Sequence, residues 1–531
     1  MTPSSLLGTR RPAPALLWAP ALAAVGLTLL PLYYLLDRST ERGWAPWEDA
    51  IERLAGELVW DTARLAVAVM AGTVLVAVPA AWITARTDVP GRRLWQVGLS
   101  LPLAIPSYVY AIAVVSALGP KGILQSWLEP LGVDRLPDIY GFWGATATLT
   151  AVSYPYLYLV MHAAFATVDP AQEEASRSLG HGRWSTFLRV TLPPLRPAIA
   201  GGLLLIVLYA MSDFGAVQTL RFDTFTSVIY LQYQSSFDRT GAAVLALLLG
   251  ALTLVVVTSE MAIRQLARGG SASGRRQPVR APLGSWRWPA IAFLAAVTAL
   301  AFVVPVGVLV YWWVEGIRAG VSFPDLAEPM RHSGALAASG AIVTVAAALP
   351  LAVLAARYGG WAARGLEQLS YLTHALPGLV VALAMVFFGI RYATSLYQTL
   401  WMVLAAYVVL FLPNALSTLR VPLLRQSPNL EDASASLGRR PLRTVLTVTL
   451  PLARPGVVAA LMLVFLTALK ELPATLLLAP PGYETLPGTI WGAANTGTYA
   501  TAALPALILV AIAGVAVGAL SWFDALGGKR G

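Results

Sequence analysis

Twelve apolar runs, most of them about 20 residues long or more, divide the chain at residues 15–36, 59–85, 94–118, 142–166, 198–217 and 240–263, then 289–313, 334–356, 367–390, 399–419, 455–478 and 500–523. A run of that length crosses the roughly 30 Å hydrocarbon core as a helix, which satisfies its own backbone hydrogen bonds where no water can. The short strands of alternating polarity that a membrane barrel requires are missing. The pattern therefore predicts an all-α polytopic membrane protein with twelve transmembrane helices. The first run follows Arg10-Arg11 but stays apolar to Leu36. That is longer than the roughly 7–15 apolar residues of a cleaved signal peptide, so a retained helix is expected.

Basic residues set the orientation, because Lys and Arg are held on the cytoplasmic side. One alternating set of connecting segments holds Arg10, Arg11, Arg86, Arg92, Arg93, the stretch from Arg264 to Arg287, Arg357, Arg364, Lys529 and Arg530. The other set mixes bases with acids, as in Asp37-Arg38 and Glu41-Arg42. Both termini are predicted inside the cell. Six spans per half return the chain to its starting side, so the halves are parallel repeats. The expected organisation is a first six-helix repeat at residues 1–267, a cytoplasmic Gly/Ser/Arg linker at 268–288 and a second repeat at 289–531.

Composition narrows the class further. Only 12% of residues are charged and 57% are hydrophobic, against roughly a quarter charged in soluble domains. The formal net charge of +10 reads as the topological signal just described, and with no basic stripe interleaved with aromatics, nucleic-acid binding is not expected. The absence of cysteine removes disulfides and thiolate-bound metals.

The connecting segments carry the most informative pattern. Glu174-Ala175-Ser176-x3-Gly180-x9-Val190-x-Leu192-Pro193 recurs as Asp432-Ala433-Ser434-x3-Gly438-x9-Val448-x-Leu450-Pro451, every element 258 residues on. Earlier landmarks repeat 271 residues apart, Thr73, Pro79 and Pro106 with Thr344, Pro350 and Pro377. The difference of 13 is an insertion in the first half, expected where residues 121–140 outrun residues 391–398. Asp169-Pro170-Ala171-Gln172 reads as a helix start, and Gly180 as its end. Ser427-Pro428 and Gly438 do the same in the second copy. The small pair Ala175-Ser176, repeated as Ala433-Ser434, is expected to form a low face for another protein. A second short helix is expected to end at Leu-Pro. Such a helix-turn-helix knob, present twice, suits a two-fold symmetric partner better than an interfacial helix resting on lipid.

These loops resemble the E-A-A-x3-G-x9-I-x-L-P signature of ABC importer permeases, in which the element docks on a cytoplasmic ATPase subunit. The resemblance covers both halves. Residues 373–383, Thr-His-Ala-Leu-Pro-Gly-Leu-Val-Val-Ala-Leu, and 469–478, Leu-Lys-Glu-Leu-Pro-Ala-Thr-Leu-Leu-Leu, are similar to the fused permeases of ferric-iron importers. The departures, Ser for the second Ala, Val for Ile and Asp432 for Glu, keep size or charge. The resemblance implies the type I ABC importer permease fold in a bacterial cytoplasmic (inner) membrane. It also implies two copies of an ATPase subunit and one binding protein outside. The chain itself lacks the Gly-x4-Gly-Lys-Ser/Thr loop, its only lysines being Lys121, Lys470 and Lys529. No catalytic role and no bound cofactor are expected here, ATP and magnesium belonging to the partner.

Charges inside the spans are the candidates for the transport pathway. Asp213 is expected about 22 Å up the fifth span at 1.5 Å per residue, and Glu471 is its equivalent, with Lys470 beside it. Two equivalent carboxylates form an acidic entry for a hard cation, or else cap helix ends and pair within a buried network. His162, His181, His332 and His374 lack ligand spacing, so no firm metal site is expected. A thiamine importer of the same architecture, or a proton-coupled carrier, are the competing functions.

Overall fold

The computed structural model describes residues 15–234, 238–267, 281–358, 360–372, 376–427 and 429–527. Arg10, Arg11, Lys529, Arg530, linker residues 268–280, the segment 373–375 and Pro428 lie outside the described residues. Among the described residues the regular structure is helical, apart from one isolated parallel bridge between Thr87 and Ala281. Ten helices among the described residues are long and apolar enough to cross a membrane. Two expected spans fall outside that set. Helix Phe142–Thr167 is diluted by polar Thr146, Thr148, Thr150, Tyr154, Tyr156 and Tyr158, and helix Gly378–Tyr392 has only 15 residues.

The third and ninth runs, expected as single helices, are each broken in two. Helix Arg92–Ser100 passes through the tight turn Leu101–Ala104 into helix Ser107–Leu118, and helix Trp361–Leu372 precedes Gly378–Tyr392. Pro106 and Pro377, both at ψ 149°, start the second pieces. Proline offers no N–H and drives its predecessor out of helical space, as Ile105 at ψ 118° shows. The fifth and eleventh runs also stop early, at Ser212 and Leu469, and a short helix follows each, Gly215–Thr219 and Pro473–Leu478.

The chain forms two compact units, residues 1–43 with 325–488 and residues 44–324 with 489–531. Neither coincides with a sequence half. In the first unit, helix Ala327–Val353 packs against Leu400–Arg425 and Leu450–Leu469, and the N-terminal helix Ala15–Thr40 lies on Ala327–Val353 and Gly378–Tyr392. Glu41 clamps that helix by accepting from both Arg38 and Arg391, and Tyr34 meets Tyr392 edge-on at 6.1 Å. Gly456 allows two of these helices to touch, since a Cβ there would stand 2.2 Å from Pro422 Cγ. In the second unit the same three-helix core recurs as Gly56–Arg86, Phe142–Thr167 and Leu192–Ser212, while helices Val304–Arg318 and Tyr499–Gly527 pack on each other beside Ser107–Leu118.

Candidate functional site

The repeated loop follows the fourth span of each half. In the first copy Asp169 accepts from the Ala171 N–H at 3.0 Å and Pro170 opens helix Pro170–Ser178. The helix ends at Gly180, φ +84°, where the His181 N–H reaches back to the Ser176 carbonyl at 3.2 Å. In the second copy helix Asn429–Ser436 ends at Gly438, φ +77°, and Arg439 donates to the Ser434 carbonyl at 3.3 Å. Both glycines occupy the left-handed region that terminates helices.

Glu174, Ala175, Asp432 and Ala433 are exposed on these helices. Ser176 and Ser434 are not, which corrects the expected small-residue face. Consecutive residues on a helix are about 100° apart around its axis and residues two apart about 200°, so the serines turn inward while Glu174 and Ala175 face out. The serine hydroxyls lie 3.1 Å from Thr186 and 3.0 Å from Thr444. The outward surface mixes charged residues with exposed leucines. Leu179 and Leu437 are each 79% exposed, and Leu188 and Leu446, on the second arms, are 54% and 55% exposed.

Leu192-Pro193 and Leu450-Pro451 do not end a second short helix, a further correction. The chain stays helical from Arg183–Thr186 through the wide turn Phe187–Thr191 into Leu192–Ser212, and from Pro441–Thr444 through Val445–Thr449 into Leu450–Leu469. The wider π-type turn takes up the backbone mismatch where the prolines lack an N–H. The second arm of each loop is therefore the beginning of the fifth span of that half.

Sequence reasoning missed the residues that hold the loops. Glu173, just before Glu174, pairs with Arg86 at the end of helix Gly56–Arg86 and accepts from the Thr191 hydroxyl at 2.7 Å. Arg86 also donates to the Val168 carbonyl at 3.3 Å. In the second copy Glu431 takes Arg357 at 2.9 Å and the Thr449 hydroxyl at 2.8 Å, and Arg357 also donates to the Gln426 carbonyl at 3.1 Å. The available signal was the pair of offsets already seen: Arg86 and Arg357 are 271 residues apart, Thr191 and Thr449 258.

Of the pathway candidates, Asp213 lies in one unit and Lys470 and Glu471 in the other. Asp213 is 8% exposed, accepts from the Ala216 N–H at 2.9 Å, hydrogen-bonds Ser107, and through its carbonyl takes the Thr226 hydroxyl at 2.6 Å. Glu471 accepts from the Ala474 N–H at 3.2 Å, and a Cβ on Gly378 would stand 3.1 Å from its Oε1. Each carboxylate thus caps the short helix after its span beside the start of the helix that follows Pro106 or Pro377. Lys470 closes helix Leu450–Leu469, where a cation suits the helix dipole. Among the described residues no three His, Cys, Asp or Glu gather as a ligand set. His162 faces Gln96 at 2.9 Å and His332 stacks on Tyr483 at 4.0 Å.

The family of binding-protein-dependent transport system inner membrane components matches residues 77–267 and, a second time, residues 348–526. The chain belongs to this family. It is 35% identical over 500 residues to an Fe(3+)-transport system permease protein of Haemophilus influenzae, covering 93% of this chain and 95% of the relative. A ferric transport system permease protein of Actinobacillus pleuropneumoniae is 24% identical over 78% of this chain and 63% of its own length. A sulfate transport system permease protein of Synechocystis is 32% identical over 43% of this chain and 85% of its own length. The family match falls once in each repeat, and each match contains one copy of the repeated loop. The protein is thus a multi-pass membrane permease carrying two copies of the family domain.

Capping makes a prediction for the permease that separates anchoring from charge. Asp213→Asn keeps an acceptor for the Ala216 N–H and is expected to retain folding and uptake. Asp213→Ala leaves buried N–H groups unpaired, at a cost of about 1–3 kcal/mol, and is expected to lower the melting temperature in detergent together with uptake. Loss of uptake in a well-folded Asn variant would show that the charge itself is required.

Proposed function

We propose that this chain is the membrane-spanning subunit of an ATP-driven importer that moves ferric iron, delivered by a binding protein outside, into the cytoplasm by alternating access. The observation that carries the cargo is the 35% identity to an Fe(3+)-transport permease along nearly the full length of both chains. The sulfate permease match spans about one repeat. Both termini and both loops lie on the cytoplasmic side of a bacterial inner membrane, in keeping with the arginine distribution. Each loop receives one ATPase subunit, two in all, and those subunits bind the ATP and magnesium.

Reconstitution tests this reading. Proteoliposomes containing the chain, its ATPase and its binding protein are expected to accumulate ferric ion only with ATP and magnesium. Capture of thiamine instead of ferric ion by the cognate binding protein would reassign the cargo. Uptake driven by a proton gradient without ATP would make the protein a secondary carrier.

A further inference from the structure

We propose that Arg86–Glu173–Thr191 and its repeat Arg357–Glu431–Thr449 are positioning joints, through which displacement of each docking loop is passed to the second and fifth spans of its own half. Each glutamate meets three separate elements: its own loop helix, the end of the span that closes with Arg86 or with the Arg357 turn, and the hydroxyl on the last residue of the wide turn entering the fifth span. The loop helices have 9 and 8 residues, too short to hold their form or direction unaided. Their direction is set by what grips them. Glu173 and Ser176 are three residues apart and share the inward face, so one face of the helix is bonded to the bundle while Glu174 and Ala175 remain outside.

The joint keeps its chemistry in both repeats where neighbouring contacts do not. Gln96–His162 in the first half becomes the ion pair Glu367–Arg420 at the equivalent place in the second, and the bond between Thr84 and Tyr158 has no counterpart, since Ala355 and Leu416 stand there. Arg, Glu and Thr persist in all three places of the joint. The arginine side chains are each 7% exposed and the glutamates 13% and 23%, so solvent screens these pairs far less than surface ones. The fifth span is gripped a second way, because the second arm of the loop runs into it as continuous helix. A push on the loop therefore reaches the fifth span along the helix and the second span across the ion pair.

The proposal rests on ATPase docking at the loops, and the test separates the two. In proteoliposomes with the ATPase and binding protein, Arg86→Glu and Glu173→Arg are each expected to keep ATPase copurification while substrate moved per ATP falls about tenfold, the scale of ordinary intersite coupling. The double variant Arg86→Glu/Glu173→Arg restores the pair in reverse and is expected to recover most of the loss, and Arg86→Lys to retain more coupling than Arg86→Glu. Normal coupling in the single variants, or no recovery in the double, overturns the joint. Should the single variants not fold, Thr191→Val with Thr449→Val removes only the hydroxyl bonds. It is expected to lower transport per ATP while the variant still folds and copurifies with the ATPase, and unchanged transport per ATP there likewise overturns it. Failure of the ATPase to copurify with the unaltered chain would instead reject the docking reading.

Discussion

Leu179→Asp combined with Leu437→Asp is expected to strip the ATPase from the permease and abolish ATP-driven uptake. Both leucines are 79% exposed, at equivalent places beside the turns that end the two loop helices. An apolar side chain so open to water has little to lose within the chain, and surface substitutions of this kind alter stability by about 0.5 kcal/mol or less. In a protein contact the same residue would sit in a partner's pocket, where losing an anchor costs about 2 kcal/mol or more. At about 1.4 kcal/mol per tenfold change in affinity, each docking site weakens by a factor of roughly 30, and buried carboxylates add to it. Copurification of tagged permease with ATPase measures the effect directly. An undiminished complex with the double variant would show that these leucines are not the docking surface.

Gly180→Val with Gly438→Val should leave the complex assembled but separate ATP hydrolysis from uptake. The glycines stand at φ +84° and +77°, and a Cβ at either would meet no atom within 4 Å. The obstacle is therefore torsional. A β-branched residue in the left-handed region stores about 1–3 kcal/mol of strain, enough to make the turn re-form with negative φ and re-aim the docking helix. Asn tolerates this region better, so Gly180→Asn with Gly438→Asn is expected to retain coupling. The check is substrate accumulated per ATP hydrolysed; equal ratios in the Val, Asn and unaltered proteins would remove the turn from the coupling path.

How much of this was legible beforehand differs by feature. The loop helices, their caps at Asp169 and their ends at Gly180 and Gly438 follow from local chemistry, and the structure has them where the residues place them. Leu192-Pro193 looks like the stop of a second loop helix, whereas a wide turn before it carries the helix onward. Ser176 faces inward, against the expected small-residue face, because the small size of a residue does not say which side of a short helix meets the bundle. Asp213 and Glu471 stood out as charges in apolar runs, but their capping of short helices depends on breaks at Ser212 and Leu469 that hydropathy does not reveal.

The joint at Glu173 and Glu431 was hidden for another reason. A lone arginine ending a span is ordinary, and so is a glutamate in a polar loop; their pairing across 87 residues is a property of how two helices end side by side. The exchange of helix Ala15–Thr40 into the unit built by residues 325–488 is invisible for the same cause. An apolar helix carries no mark of which neighbour it will meet, since lipid and protein are equally apolar to it.

By itself, the amino-acid sequence determined the membrane class, the duplication and the two repeated loops, because hydropathy, helix capping and repeat spacing are local or periodic properties of the chain. Which side chains grip each loop, which span packs in which unit and which charges close helix ends were decided only by tertiary structure. Those depend on contacts between distant residues, and a contact has no period to read.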